Sequence, residues 1–285
     1  MRLVNPLFLT IILVLGPIVF HPISLAAEDK PLSRKAISHA SFERKTFERG
    51  VGKLSLLQRN GEGEPLVLLP GTFSDATQWS ETVPYLPEDL PLILIEMRGQ
   101  GESWPPKPDN SIEELAQDTL WVLWQLGVER FHVGGHSLGG MVALQMGYGA
   151  PEKVRSVISV EGWTHHLVAK EAFGGVIRNT LTEDRMKERA EERAQLEAKW
   201  GKDKMVEFAQ VWKRWDGSAF LDSTELPVLE IWGDRGMEER PALEQLRIPD
   251  RPNIRLEWIK DASHNLPTEK PEELGRMITE FLVAQ

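Results

Sequence analysis

Residues Gly135-His136-Ser137-Leu138-Gly139 set a serine between two glycines. The apolar run from Phe131 to Val133 before them reads as a strand, and Met141 to Met146 after them as a helix. A Gly-x-Ser-x-Gly between a strand and a helix is the nucleophile elbow. Its turn is so tight that the flanks need residues without bulk, and the serine stands on a strained, exposed tip. Such a tip presents Ser137 Oγ to an electrophilic carbon. A serine at its free pKa is a poor nucleophile and needs a base. Of the seven histidines, His264 lies in the loop after the strand Ile254 to Ile259 and before a helix from about Pro271. A base there can reach an elbow in mid-sheet. His136 sits inside the elbow and reads as structural, and His132 as packed within its strand. His165 and His166 read as surface or hinge residues that could also line a pocket; as sequence neighbours they make a poor metal pair.

Acyl transfer also needs hydrogen-bond donors for the developing oxyanion. The backbone N–H of Leu138 is one candidate. The second comes from the loop Pro70-Gly71-Thr72-Phe73 after the apolar strand Leu66 to Leu69. Gly71 lets the backbone approach a substrate, and Thr72 offers its N–H.

These residues need a scaffold. From Leu66 onward apolar strands alternate with helical stretches, which is the pattern of a parallel sheet with crossover helices. Leu92 to Ile95 and Leu226 to Trp232 are further buried strands. Asn60-Gly61-Glu62-Gly63, between Lys53–Gln58 and Leu66–Leu69, signals a hairpin. Residues 28 to about 44 read as a charged lead-in. Between about 162 and 224 the alternation stops, and the charge run from Glu183 to Lys204 reads as a solvated helix face. This segment is expected to be an inserted helical cap. Met205, Phe208, Ala209, Trp212 and Trp215 follow helical spacing. That stripe packs the cap onto the core, and part of it can also wall a pocket; Phe73, Trp163, Trp212 and Trp215 are the candidate lining.

With elbow, loop and histidine in this order, the chain resembles the α/β-hydrolase superfamily, in particular its cap-bearing, serine-nucleophile esterase and lipase-like members. The likeness runs from about Thr46 to Leu282. Glu96-Met97-Arg98-Gly99-Gln100-Gly101-Glu102-Ser103 is similar to the family's Asp-x-Arg-Gly-x-Gly-x-Ser loop, and Ser111 to Leu126 to the helix before the elbow, opened by a Ser111…Glu114 capping box. Two departures stand out. The oxyanion loop has Pro70-Gly71 where the family has His-Gly. The family's usual acid position, three residues after a glycine ending the seventh strand, falls on Gly236 in Gly233-Asp234-Arg235-Gly236. Some members, including certain haloalkane dehalogenases, carry the acid after the sixth strand. Here that residue is Glu161, the last of the strand Val157 to Glu161. Glu161 is the choice, with Glu238, Glu239 and Asp234 as the alternatives and Asp234 read more readily as a loop brace.

Composition sets the limits. The 285 residues suffice for one large α/β domain with an insertion. The chain has no cysteine, which excludes disulfides, thiolate catalysis and cysteine-ligated zinc. A net charge of −10 with no basic run argues against nucleic-acid partners. Arg2, the apolar run Pro6 to Phe20 and Ser24-Leu25-Ala26-Ala27 form a signal-peptide layout, so residues 1–27 are expected to be removed. The hydrolase domain then covers 28–285, exported to the periplasm or beyond, with no stable membrane insertion; an uncleaved N-terminal anchor is the alternative. The resemblance implies a Ser137–His264–Glu161 triad hydrolysing carboxylic esters of small or medium, largely apolar molecules, with no metal and no organic cofactor. Carbon–carbon bond hydrolysis, perhydrolysis on the same triad, and a non-catalytic small-ligand binder are the competing readings. The oligomeric state is not readable.

Overall fold

A computed structural model describes residues 42–107, 109–174 and 182–285; the expected signal peptide lies outside them. The strands are β1 (Glu43–Arg49), β2 (Gly52–Arg59), β3 (Leu66–Leu69), β4 (Leu92–Glu96), β5 (Phe131–His136), β6 (Val154–Val160), β7 (Val228–Gly233) and β8 (Ile254–Ile259). They form one sheet in the order β1-β2-β4-β3-β5-β6-β7-β8, parallel from β4 to β8, with β1 and β2 antiparallel at one edge. The helices are α1 (Ile112–Gln125), α2 (Leu138–Gly149), α3 (Val168–Glu171), α4 (Glu183–Trp200), α5 (Lys202–Phe208), α6 (Ser218–Ser223), α7 (Leu243–Leu246), α8 (Leu266–Glu269) and α9 (Pro271–Val283).

All residues of β3 and β4 are buried, because both sheet faces are covered. One face packs on α1 and α2 through Leu115, Val122, Val142 and Met146, and the other on α9 through Leu274, Ile278 and Phe281. The Ser111–Glu114 capping box forms at the start of α1, with Ser111 Oγ accepting from Glu114 N and Glu114 Oε2 from Ser111 N. A central parallel sheet puts every strand's carboxyl end on one edge, where loops and helix N-termini can converge on a site.

The edge differs from the sequence expectation. The expected hairpin between residues 53–58 and 66–69 does not form, since β4 lies between β2 and β3. Gly61 has another use. A side chain there would lie 2.0 Å from Asp89 O, where the two segments cross and Glu62 N donates to that same carbonyl. The hairpin is instead β1–β2, turned at Gly50 (φ 63°). Its first strand, in the segment read as lead-in, is a charged, half-exposed edge strand, so apolar alternation does not reveal it.

Between β6 and β7 the described residues form the helices α3 to α6 joined by turns, with one isolated bridge, His165 to Asp216, and no strand. In α4 only Trp200 is buried, and the charge run is its solvated surface. The apolar stripe departs from the expected single helix. Helix α5 ends at Phe208, and the chain continues in tighter turns, Val211 N to Phe208 O and Trp215 N to Trp212 O. A repeat near three residues keeps the same side chains inward.

Candidate active site

Gly135 and Gly139 are glycines for a steric reason. A Cβ on Gly135 would lie 2.2 Å from the Gly139 carbonyl carbon, and one on Gly139 would lie 2.4 Å from Leu69 O. The crossing of strand and helix leaves no room for either. Ser137 takes φ 54° and ψ −117°, a backbone state costing about 1–3 kcal/mol for a residue with a side chain. Among the described residues six non-glycines have positive φ, and five of them, Phe73, Ser137, Glu161, Arg235 and Asp261, follow the ends of β3, β5, β6, β7 and β8. Strain is thus gathered at one end of neighbouring strands.

The fold brings Ser137, His264 and Glu161 together. His264 Nε2 is 3.0 Å from Ser137 Oγ, and Nδ1 is 3.0 Å from Glu161 Oε2, across 127 and 103 residues of sequence. Ser137 and Glu161 each follow a strand end in the paired β5 and β6, and Ser137 N donates to Val160 O. Burial acts to raise the Glu161 carboxyl, but the His264 hydrogen bond and the Arg235 charge outweigh it and hold the group below the usual carboxylate range. An ionised carboxylate only accepts, so the proton of a neutral His264 must sit on Nδ1, leaving Nε2 to accept from Ser137 Oγ–H. A ring in that tautomer can take the serine proton.

Glu238 and Glu239 are exposed and make no hydrogen bond to His264. Asp234 braces its loop by accepting from Gly236 N at 2.9 Å and Asp261 N at 2.8 Å. Gly236 lies at φ 65° in the same turn.

The Pro70–Phe73 loop lies against the elbow, since a Cβ on Gly71 would be 3.4 Å from Ser137 Cβ. Two side chains that the sequence reading passed over fix this loop. Gln100 Nε2 donates to Gly71 O at 2.9 Å. Gln78 Oε1 accepts from Gly71 N at 2.7 Å, while Gln78 Nε2 is 3.0 Å from His136 Nδ1. His136 Nε2 in turn donates to His264 O at 2.6 Å. Burial pushes the His136 imidazolium down to about 3, so the ring stays neutral and serves as a strut between the Pro70–Phe73 loop and the loop that carries His264. The Thr72 and Leu138 N–H groups have no hydrogen-bond partner among the described residues.

Aromatic rings surround these groups. Trp163 lies 6.1 Å from the His264 ring and meets Trp212 edge-on at 4.9 Å. Trp215 is buried behind them, its Nε1 donating to Trp163 O. Phe73 is enclosed by Trp200 at 5.4 Å and Phe208 at 5.6 Å, and Trp200 Nε1 donates to Gly99 O, tying the end of α4 to the loop after β4. Trp200 carries no motif, so only the folded contact reveals it. His132 Nδ1 pairs with Ser156 Oγ at 2.7 Å, and the rings of His165 and His166, 4.1 Å apart and tilted by 31°, lie beside the bridge to Asp216.

Residues 64–176 match the family model of the alpha/beta hydrolase fold, and residues 125–256 a model described as putative esterase. The chain has the α/β-hydrolase fold. Among the relatives of this chain, a putative carbamate hydrolase RutD from Azorhizobium caulinodans is 36% identical over 104 residues, 36% of this chain and 39% of the relative. The acetyltransferase component of a Pseudomonas putida acetoin-cleaving system is 33% identical over 39% of this chain and 30% of its own length. The match therefore spans well under half of these curated relatives. A solved structure described as Est816, an N-acyl homoserine lactone degrading enzyme, superposes with a TM-score of 0.66 at 26% identity, covering 83% of this chain and 100% of its own. The carboxylesterase CesB from Bacillus subtilis shares the fold, with a TM-score of 0.61 at 20% identity over 88% of this chain and 95% of its own.

Proposed function

We propose that this protein is a serine hydrolase of carboxylic esters. The observation that carries the reading is the single imidazole bridging Ser137 Oγ and the Glu161 carboxylate at 3.0 Å each. Ser137 attacks the acyl carbon while His264 Nε2 takes its proton. Glu161 keeps the ring in the required tautomer and stabilises the imidazolium. The Thr72 and Leu138 N–H groups bind the oxyanion. His264 then protonates the leaving alcohol and activates the water that releases the acyl group. The aromatic wall of Phe73, Trp163 and Trp212, backed by Trp215, suits a small or medium apolar substrate. The relatives named for carbamate and lactone cleavage extend the candidate set to other acyl compounds. Export after removal of residues 1–27 belongs to the same proposal, and N-terminal sequencing of the secreted protein tests it.

Labelling with a fluorophosphonate, followed by p-nitrophenyl esters of graded acyl length, a lactone and a carbamate, tests the activity. Ester turnover with stoichiometric labelling at Ser137 is the expected result. Labelling without turnover of any acyl compound would favour a ligand-binding role.

A further inference from the structure

We propose that Arg235 is a positioning residue for the reacting pair. Its guanidinium grips both oxygens of Glu161, so that one of them is presented to His264 Nδ1. This rests on the triad reading above. The superfamily's usual acid position is a glycine in this chain, and the same β7 loop supplies a cation in its place. Arg235 Nη1 donates to Glu161 Oε1 at 3.1 Å and Nη2 to Oε2 at 2.6 Å, a fork-on-fork pair. Oε2 is also the oxygen that His264 meets. The Gly233 N–H holds Oε1 at 2.7 Å, so the carboxylate has little freedom to rotate away from the imidazole.

Arg235 is itself held on several sides. Nη1 also donates to Gly233 O at 2.6 Å, and the backbone N–H donates to Ala262 O at 2.8 Å, in the loop that carries His264. The Phe173 ring lies 3.6 Å from the guanidinium carbon. The arginine is 8% exposed and the glutamate 0%. A guanidinium removed from water this thoroughly needs its carboxylate, and the carboxylate needs it, because either charge left alone would carry a large desolvation cost. Arg235 holds a positive φ of 55°, a backbone state that side chains disfavour.

The other charged or titratable groups nearby do not duplicate this role. His136, on β5, is neutral and engaged with the His264 carbonyl. Glu230, on β7, is uncharged at neutral pH because burial pushes it up to about 8. Asp234 accepts from its own loop, and Glu269, on α8, accepts from the N–H groups of Ser263 and Asn265 on either side of His264. The charge of Arg189, on α4, reaches His136.

The test uses the full chain with Arg235→Met and Arg235→Lys, followed from pH 5 to 9 by p-nitrophenyl acetate turnover and by the rate of fluorophosphonate labelling. For Arg235→Met, kcat should fall roughly 10- to 100-fold with KM little changed, as for loss of a group that orients another. The acid limb should move up by about one pH unit, because the buried carboxyl loses its cation and takes a proton sooner. Arg235→Lys should restore the limb but not the whole of kcat, since one ammonium cannot hold both oxygens. In a Glu161→Gln background, Arg235→Met should cost less than about twofold more, because the two act as one unit. A folded Arg235→Met variant with wild-type kcat and limb would overturn the proposal, as would an undiminished loss in the Glu161→Gln background. If Arg235→Met does not fold, Arg235→Lys decides: a wild-type kcat overturns the role and a reduced kcat with an unmoved limb supports it. Ser137→Ala is measured alongside. Its survival as an active enzyme would bring down the triad reading and this role with it, whereas a dead Ser137→Ala beside unaffected Arg235 variants would remove this role alone.

Discussion

Two glutamates are fully buried in neighbouring strands of the same sheet, and they meet opposite fates. Glu161, at the end of β6, accepts from Gly233 N, Arg235 and His264 and stays ionised. Glu230, in the middle of β7, lies beside Ser159 and Trp232, but neither of its oxygens has a hydrogen-bond partner of good geometry, and burial pushes its pKa up to about 8. Burial is the same for both, and partners decide the charge. A strand's carboxyl end, where loops and cations converge, can keep a buried carboxylate. A strand's middle, walled by neighbouring side chains, neutralises it.

The sharpest way to break the contrast is to remove what the ionised glutamate serves. Ser137→Ala should lower turnover of p-nitrophenyl acetate by about four orders of magnitude or more with little change in folding, since triad members act as a unit. Retention of even a tenth of the activity would show that the elbow is not the reacting centre. Next in size, Glu161→Gln should slow turnover by about two to four decades in a fold that is retained but less stable, because the amide can favour the wrong imidazole tautomer and leaves the buried Arg235 guanidinium without its carboxylate. The same exchange at Glu230 should leave kcat within about twofold, as it touches none of the reacting groups. Equal losses at the two positions would erase the comparison.

Glu230 has its own signature, in stability rather than rate. Its folded pKa lies above the ordinary carboxylate value, so the native state holds its proton after the unfolded chain has released it. Stability from this group is fully present below about pH 4.5 and is lost as pH rises through about 8. The loss amounts to several kcal/mol at most, since a tenfold difference in proton affinity is worth about 1.4 kcal/mol. Urea denaturation at pH 5 and pH 8.5 should therefore show Glu230→Gln gaining on the wild type at the higher pH. Glu161 has the opposite sign, contributing stability above its unfolded pKa that is lost as pH falls through the depressed one. Smallest of all, Asp234→Asn and Glu238→Gln should each change kcat less than about threefold, as neither reaches the imidazole.

The elbow was legible in the sequence because its reason is local: glycines flank the serine where a Cβ would strike backbone at 2.2–2.4 Å. The parallel sheet was legible through the apolar runs that become β3 and β4, buried on both faces. The position of His264 after the last strand followed from chain order. The edge hairpin was misread because the turn signal at Asn60–Gly63 is a close crossing against Asp89, and no local rule separates the two. The strand β1 was missed because an edge strand carries charge where a buried one carries apolar residues.

Sequence alone thus singled out the serine, the histidine, the strands from β2 to β8 and four candidate acids. Tertiary structure alone decided which acid meets the imidazole, which cation holds that acid, and which rings enclose Phe73. Tight turns and buried strands are dictated by sterics and periodicity over a few residues. The contacts of His264 with Glu161, of Arg235 with Glu161 and of Phe73 with Trp200 join residues 103 and 74 positions apart and a ring on the loop after β3 to one at the end of α4. They exist only because the fold lays those strand ends side by side and packs the end of α4 against them.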